Sequence, residues 1–569
     1  MKMILKLLKP HKIRLTIALT LKSLAAMADL MIPFLIAYMI DDQIPTLSGS
    51  YIPLFYTGAI MVGIAVLGWI MNVTANRFSE YIAAEAAKTL RHDLFSSTMY
   101  LSSHQVDHLS KPSLISRMTT DTYNLYRATA IIQRLGIRAP VLLIGGIMLS
   151  FTLDPVLTLV MLVMFPFITA VVYFGSKRGV PLYHKTQKLM DQLIRKLREF
   201  ITGARVIRAL SMNHHEIKQF KQMNQDANDA ELFASKVMAS INPLMTIMMN
   251  IGLVIVLIIG AYRLNNQMTE IGSIMAFVTY FTIILNAMMG ITRIFVLSSR
   301  ASASSERIQE VLDENEELVA GDSEIDPNHD IHVQFSHVFF SYFGHTDQLK
   351  DVSFTLKKGQ SLGIIGATGS GKSTIANILM RFYDVDEGHI NVFGKDIKTM
   401  NKKELRKHIG FVMQNDMIFH DTIKYNVNLT HEGDIDYKAI QTAQATFVFD
   451  REKSVEDMLT TGGTNVSGGQ KQRILISRAL ASNPSILILD DASSALDYET
   501  DQKLREALNI NYSDVTKIII AQRVASLKSC DHIIMIDQGQ VIASGTHDTL
   551  MKTSKDYLAI ATHQLGVIS

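Results

Sequence analysis

The chain reads as an α-helical membrane domain of six transmembrane helices with long cytosolic extensions, fused to an α/β domain built on a phosphate loop. Three observations predict this. Hydrophobic residues make up 48% and charged residues 19%, too apolar for an ordinary soluble protein and too charged for a pure membrane bundle. Six apolar runs in the first half approach or exceed the ~20 residues needed to cross a bilayer. In the second half, Gly366-Ala-Thr-Gly-Ser-Gly-Lys-Ser-Thr374 fits the pattern G-x-x-x-x-G-K-[ST]. A length of 569 residues leaves room for several domains. The net charge of +2 gives no field that would favour nucleic acid, and the single cysteine, Cys530, excludes a disulfide framework or a cysteine metal site.

The spans are expected near 16–40, 52–76, 135–153, 156–177, 241–262 and 270–296, with only Thr152-Leu-Asp-Pro155 between the third and fourth. Lys2, Lys6, Lys9, Lys12 and Arg14 precede the first span, and the acidic loop Asp41–Ser50 follows it. The excess of bases therefore puts the N-terminus in the cytosol. Six crossings return the chain there. The start, Met1–Pro10, lacks a cleavage site and reads as a cytosolic interfacial helix.

Two charged segments with helical periodicity, about 77–134 and 178–240, are far longer than turns and predict helices projecting beyond the membrane. Each holds a break, at 112–120 and at 203–211. Within the spans, Lys22, Asp29, Asn250 and Asn286 could line a water-filled cavity or bond between helices. Met245, Met248, Met249, Met288 and Met289 cluster in spans five and six, where flexible side chains suit either lipid contact or a pocket that repacks around apolar ligands.

Residues 1–310 are thus expected to form the membrane domain. The acidic, turn-rich stretch 311–330 is a linker, and 331–569 alternates short β-rich and helical runs as an α/β domain does. There, Ser361–Ile365 reads as a strand before the phosphate loop and Thr374–Met380 as a helix after it. Glycines Gly366, Gly369 and Gly371 let the loop amides converge on an anion, with Ser370 and Thr374 in the same cradle. Lys372 supplies a charge for the β- and γ-phosphates, and the Ser373 hydroxyl is placed to ligate Mg²⁺. A second apolar run, Ile486–Leu489, ends in Asp490, a carboxylate that would hold Mg²⁺ through water. Ser467-Gly468-Gly469-Gln470 opens a helix and offers a second anion-binding surface. One chain does not need two such surfaces for one nucleotide, so this one is expected to face ATP held by another chain.

With these residues in place, the chain resembles a half-transporter of the ATP-binding cassette (ABC) exporter family over essentially its whole length. Val466-Ser-Gly-Gly-Gln470 is similar to the family's Leu-Ser-Gly-Gly-Gln signature. The resemblance implies an α/β P-loop ATP-binding cassette with ATP and Mg²⁺ as cofactors. It implies that Gln414 touches Mg²⁺, that Tyr342 stacks on adenine, and that Ser494-Ala-Leu-Asp497 reaches across a dimer. It also implies that the breaks at 112–120 and 203–211 are coupling helices.

The chain departs from the family at three places. Asp491 stands where a glutamate usually polarises the attacking water. Gln522 stands where a histidine usually contacts the γ-phosphate. Thr461 stands where exporters usually carry a glutamate before the signature. A carboxylate one methylene short is displaced by roughly 1 Å, which can cost about 10²-fold in rate. Glutamine cannot carry charge or a proton at neutral pH. The expectation is a site that binds ATP and hydrolyses it poorly, beside a signature that serves a different partner chain with an intact glutamate and histidine. The resemblance further implies export of amphipathic, drug-like compounds across the bacterial plasma membrane. A lipid or peptide exporter half, and an ATP-gated membrane regulator that does not pump, are the alternatives.

Overall fold

The structure, a computed structural model, describes residues 2–46, 51–314, 321, 325–342, 344, 346–429, 433–449 and 454–565. It divides into two compact units: residues up to Thr98 with Pro112–Asp313, and Met99–Lys111 with the chain from Glu314 onward.

The first unit is helical. Six helical segments, Met3–Gln43, Ile52–Tyr100, Lys111–Leu153, Pro155–Thr202, Asn213–Asn265 and Ile271–Ile291, are long and apolar enough to cross a membrane. The Ile52–Tyr100 helix has 49 residues, so at 1.5 Å per residue it is more than twice as long as the ~30 Å hydrocarbon core. Pro155–Thr202, with 48 residues, repeats this. The tight turn falls as expected. Asp154 lies between two helices, accepts hydrogen bonds from the amides of Val156 (2.8 Å) and Leu157 (3.2 Å), and pairs with Arg263 at 2.9 Å. A buried aspartate with three donors is satisfied, and it joins spans four and five.

Small residues let the spans approach closely. Ala26, Ala37, Ala139, Ala276 and Ala287 form one core cluster with Leu30 and Tyr280, and the Tyr280 hydroxyl donates to the Leu30 carbonyl at 2.8 Å. The polar groups are mostly paired. The Lys22 ammonium donates to the side-chain carbonyls of Asn72 (2.6 Å) and Asn76 (2.7 Å), and Asp29 pairs with Arg138 at 2.8 Å. Asp29 is therefore held by a cation of its own chain. Asn250 and Asn286 are exposed on their helices. The five methionines gather in one cluster with Met161, Met164, Phe281 and Leu285.

The N-terminal segment differs from the expected interfacial helix. In Lys2–Leu8, Met3 packs with Leu90, Leu94, Leu125 and Ile308, and Ile4 packs with Ala128 and Ala301. Its apolar face is spent on the unit's own helices. The first break also differs. The chain turns through a short helix at Ser103–Leu109, upstream of 112–120, and this helix groups with the α/β unit. Ser102 and Gln105 form a reciprocal capping box that starts it. Residues 112–120 instead continue the first unit. The second break forms a short helix at Ala204–Ala209. Much of the linker expected over 311–330 lies outside the described residues; the helix before it runs to Leu312.

The second unit is α/β. Strands β1 (Ile331–Phe340), β2 (Leu349–Lys357), β4 (Glu387–Val392) and β5 (Lys395–Asp396) form an antiparallel sheet in the order β2-β1-β4-β5. The other sheet has the order β10-β9-β3-β8-β7-β6, from β3 (Ser361–Ile365), β6 (Ile409–Val412), β7 (Ile486–Asp490), β8 (Thr516–Ile520), β9 (His532–Asp537) and β10 (Gln540–Gly545). It is parallel except at its β9–β10 edge. All five residues of β7 are buried, as expected of a strand covered on both faces. The neighbours β3, β8 and β7 run the same way, so their carboxyl ends open on one edge, where ligands of such sheets bind.

Candidate nucleotide site

The loop leaving the carboxyl end of β3 turns through Gly369 (φ +82°) and Gly371 (φ +104°) into the helix Lys372–Leu379. A side chain is excluded at two places. A Cβ on Gly371 would lie 2.6 Å from the Gln348 carbonyl oxygen, and one on Gly366 would lie 2.1 Å from that of Ile536. The backbone therefore comes closer than any alanine would allow. Lys372 is buried, and its ammonium donates to the carbonyls of Gly366 (2.9 Å) and Ala367 (2.6 Å). Burial lowers its pKa, and Asp490 and Asp491 push it back upward.

The ends of β7 and β8 supply the opposite wall. Asp490 closes β7, and the Asp491 amide donates to the Ile520 carbonyl at 2.9 Å. Asp491 sits at φ +51°, a left-handed conformation that aspartate tolerates better than most residues. Burial raises the pKa of both carboxyls. At Asp490 a Ser373 hydrogen bond and Lys372 oppose the shift, and at Asp491 Lys372 and Arg523 do. One cavity of about 150 Å³ is lined by Gly369, Gly371, Lys372, Ser373, Thr374, Gln414, Asp490, Asp491 and Gln522, with Gln348 and Thr368. Residues from positions 348 to 522 thus converge on a single site.

The donors at this site are hard oxygens: the Ser373 hydroxyl, the Gln414 amide oxygen and the Asp490 carboxylate. That set fits Mg²⁺, which takes few protein ligands and keeps several waters. The glycine cradle and the start of the Lys372–Leu379 helix fit a phosphate chain. Tyr342 stands beside the loop. Its hydroxyl donates to Thr374 Oγ1 at 3.3 Å and accepts from Asn377 Nδ2 at 3.2 Å.

The signature lies elsewhere. Ser467 caps the helix Gly468–Ala481: its hydroxyl accepts from the Gln470 amide at 3.2 Å, and its own amide donates to Gln470 Oε1 at 3.0 Å. Gly468 is exposed, and none of Ser467–Gln470 lines the phosphate-loop cavity. Two residues further, Gln472 donates to Ser494 Oγ (3.0 Å) and accepts from the Ala495 amide (2.9 Å), tying this helix to the Ser494–Asp497 loop. Thr461 falls in a short turn closed by a 2.7 Å contact between the hydroxyls of Thr460 and Thr464.

Sequence reasoning missed one support. Gln564, in the helix Lys555–Leu565, donates to the Gln522 carbonyl at 2.9 Å and accepts from the Val524 amide at 2.8 Å. Its side-chain amide thus grips the loop that carries Gln522, here called the switch loop, on both sides of Arg523. No local pattern marks that role.

Known proteins carry the same architecture. A family model of the ABC transporter transmembrane region matches residues 15–288, and one described as ABC transporter matches residues 349–494. The uncharacterized ABC transporter ATP-binding protein YfiB of Bacillus subtilis (strain 168) is 31% identical over 99% of this chain and 98% of its own length. The ATP-dependent lipid A-core flippase of Syntrophus aciditrophicus (strain SB) is 27% identical over 99% of this chain and 94% of its own. The solved structure of a bacterial Atm1-family ABC exporter with ATP bound superimposes with a TM-score of 0.83, at 21% identity, over 98% of this chain and 99% of that one. With a phosphate loop, a signature helix and six apolar helices on one polypeptide, this chain belongs to the ABC transporter family and has the exporter fold.

Proposed function

We propose that the chain is one half of a heterodimeric ATP-driven exporter of amphipathic, drug-like compounds in the bacterial plasma membrane, with its ATP-binding domain in the cytosol. Its own phosphate loop holds ATP and turns it over slowly, while Ser467–Gln470 completes the hydrolytic site of a different partner chain. The family's ATP-binding domain couples hydrolysis to transport. The observation that carries the asymmetric reading is that Asp491 and Gln522 line the same cavity as Lys372, Ser373 and Asp490.

The chemistry follows from these side chains. Loop amides and Lys372 bind and orient phosphates. Ser373, Gln414 and Asp490 would hold Mg²⁺, which when bound neutralises charge developing on the phosphates. Asp491 is the carboxylate available to orient a water, from a shorter arm than glutamate. Gln522 can donate a hydrogen bond but cannot add charge. Poor geometry at one and a missing charge at the other both act on the γ-phosphate side.

Exposed apolar side chains support a two-chain assembly. Met413, Met417, Phe419, Tyr425 and Met458 are exposed on the α/β unit, and Val206 is exposed on the short helix Ala204–Ala209. We assign the first set to a short helix of the partner chain. For the substrate, the pairing of Asp29 with Arg138 withdraws the carboxylate that a cationic compound would use. The support that remains is the methionine cluster, whose side chains repack at little cost. Likeness to a lipid A-core flippase keeps an amphipathic lipid as the second reading.

The test is the ATPase rate of this chain purified alone against the chain co-purified with its partner in the same vesicles. The expected result is slow turnover alone and a rate at least about tenfold higher in the pair. Rapid turnover by the lone chain, equal to the pair, would sink the heterodimer reading.

A further inference from the structure

The short helix Ser103–Leu109 groups with the α/β unit, and side-chain bonds hold it there. The Tyr383 hydroxyl donates to Asp107 Oδ2 at 2.7 Å, and Gln105 Nε2 donates to Glu314 Oε2 at 2.8 Å. Burial and the adjacent Asp107 carboxylate both push the Tyr383 pKa upward, so its hydroxyl stays protonated and donating. On its other side, the Tyr383 ring meets the Tyr342 ring edge-on, with centroids 5.0 Å apart and planes at 87°. Phe340 packs against both rings, at 5.0 Å from Tyr342 and 5.7 Å from Tyr383. Tyr342 is bonded in turn to Thr374 and Asn377 on the helix that follows the phosphate loop. An unbroken run of contacts, Asp107–Tyr383–Tyr342–Thr374, therefore joins the short helix to the phosphate-loop helix.

We infer that Tyr383 is a positioning residue that reports the base bound on Tyr342 to the helix Ser103–Leu109 through Asp107. The inference rests on the reading of Tyr342 as the adenine-stacking residue. A base stacked on Tyr342 fixes the tilt of that ring. Edge-to-face aromatic pairs have a preferred mutual angle, so a fixed Tyr342 restricts Tyr383. The Tyr383 hydroxyl lies at the far end of its ring, and its bond to a carboxylate is stronger and more directional than one to a neutral acceptor. Restricting the ring therefore restricts Asp107 and the helix that carries it. Thr374, which bonds to Tyr342, also lines the phosphate-loop cavity, so a base-free triphosphate is the probe that separates a signal from the base from one from the phosphates.

The experiment uses the full chain in lipid nanodiscs. Amide hydrogen exchange over residues 103–109 is followed with MgATP, with inorganic triphosphate and Mg²⁺ as the base-free probe, and without ligand. The expected result in the native chain is that ATP slows exchange by about two- to tenfold, the size an aromatic pair supports, while triphosphate leaves it unchanged. Tyr383→Phe keeps the ring and removes the hydroxyl. It should bind ATP within about threefold of the native chain yet lose the ATP-dependent slowing. Asp107→Asn keeps an acceptor for the hydroxyl and should retain part of it.

Full ATP-dependent slowing in Tyr383→Phe would overturn the relay. So would loss of protection in that variant before any ligand is added, which would make the bond a latch alone. Tyr342→Ala separates the two readings. If ATP affinity is unchanged by it, the base-stacking assignment fails. If affinity drops while Tyr383→Phe still responds fully to ATP, the relay fails and the base site stands.

Discussion

The phosphate loop and the signature are both built from glycines at the start of a helix, yet they are finished differently. At the phosphate loop the backbone is fixed by close approach: neither Gly366 nor Gly371 has room for a Cβ. At the signature, Gly468 is exposed and its nearest neighbour to a Cβ would be Ala495 at 3.5 Å, an ordinary contact. The first is a closed cradle enclosed by its own chain. The second presents helix-start amides outward, with its geometry set by the Ser467–Gln470 capping box and by Gln472. The same glycine-and-helix-start chemistry is thus enclosed at one site and presented outward at the other within one domain. In the proposed reading, the cradle holds the nucleotide, while Asp491 and Gln522, which line the same cavity, limit its turnover. The outward surface keeps its donors.

Gly468→Asp places a carboxylate among the signature amides. It should lower turnover of the assembled pair by about 10²-fold or more, since losing one donor to developing charge costs on that scale. It should leave nucleotide binding by the lone chain unchanged, which a nucleotide titration checks. Lys372→Ala should do the reverse. Loss of hydrogen bonds from a charged donor predicts binding at this chain's own loop roughly ten- to a hundredfold weaker. Equal loss of pair turnover and own-site binding in both variants would erase the distinction.

Restoring the altered pair tests the cause. Asp491→Glu with Gln522→His should raise turnover at this site by about 10²-fold, and Asp491→Glu alone should give only part of it. Full recovery from the single change would remove Gln522 from the account. The left-handed backbone at position 491 adds a small cost to the glutamate.

A smaller effect is set by pH. Burial raises the pKa of Asp490 and of Asp491 from the ordinary aspartate value. Mg²⁺ needs the ionised form, so metal-dependent nucleotide binding should fall away as pH drops through the raised pKa, earlier than for an exposed aspartate. Stability of the nucleotide-free chain moves the other way. A raised carboxyl contributes stability that is present at low pH and lost as pH rises through its folded pKa. Asp490→Asn should flatten the binding profile in a titration at several pH values. The smallest effect expected is that of Gln564→Ala, which removes two hydrogen bonds from the switch loop. At about 1 kcal/mol each in net worth, their loss limits the change in turnover to about thirtyfold at most, with little change in binding.

Much of this was legible in the sequence because its signals are local. The phosphate loop, the strand before it, the run ending in Asp490 and the six spans each declare themselves within twenty or so residues. What was not legible depends on contacts between distant positions. Nothing near Ser103 says that this helix docks on the α/β unit, because the decisive partner, Tyr383, lies far downstream. For Lys22 and Asp29 the sequence leaves cavity lining and bonding between helices open, because their partners, Asn72 and Asn76 for the one and Arg138 for the other, lie on other spans. The N-terminal helix looked interfacial because its amphipathic pattern fits a lipid surface and a protein surface equally well.

The grip of Gln564 on the switch loop has a consequence for biogenesis. Synthesis runs from the N-terminus at about 5–20 residues per second, and domains form as their segments emerge. The phosphate loop and its strand are made early in the α/β domain, whereas the helix that steadies Gln522 is the last described element of the chain. Strand β3 lies between β8 and β9, and Gly366 packs on Ile536, so the cradle closes only after β9 has emerged, with the Gln564 helix still to follow. The brace on the loop that carries Gln522 is therefore the last of these contacts to form during synthesis.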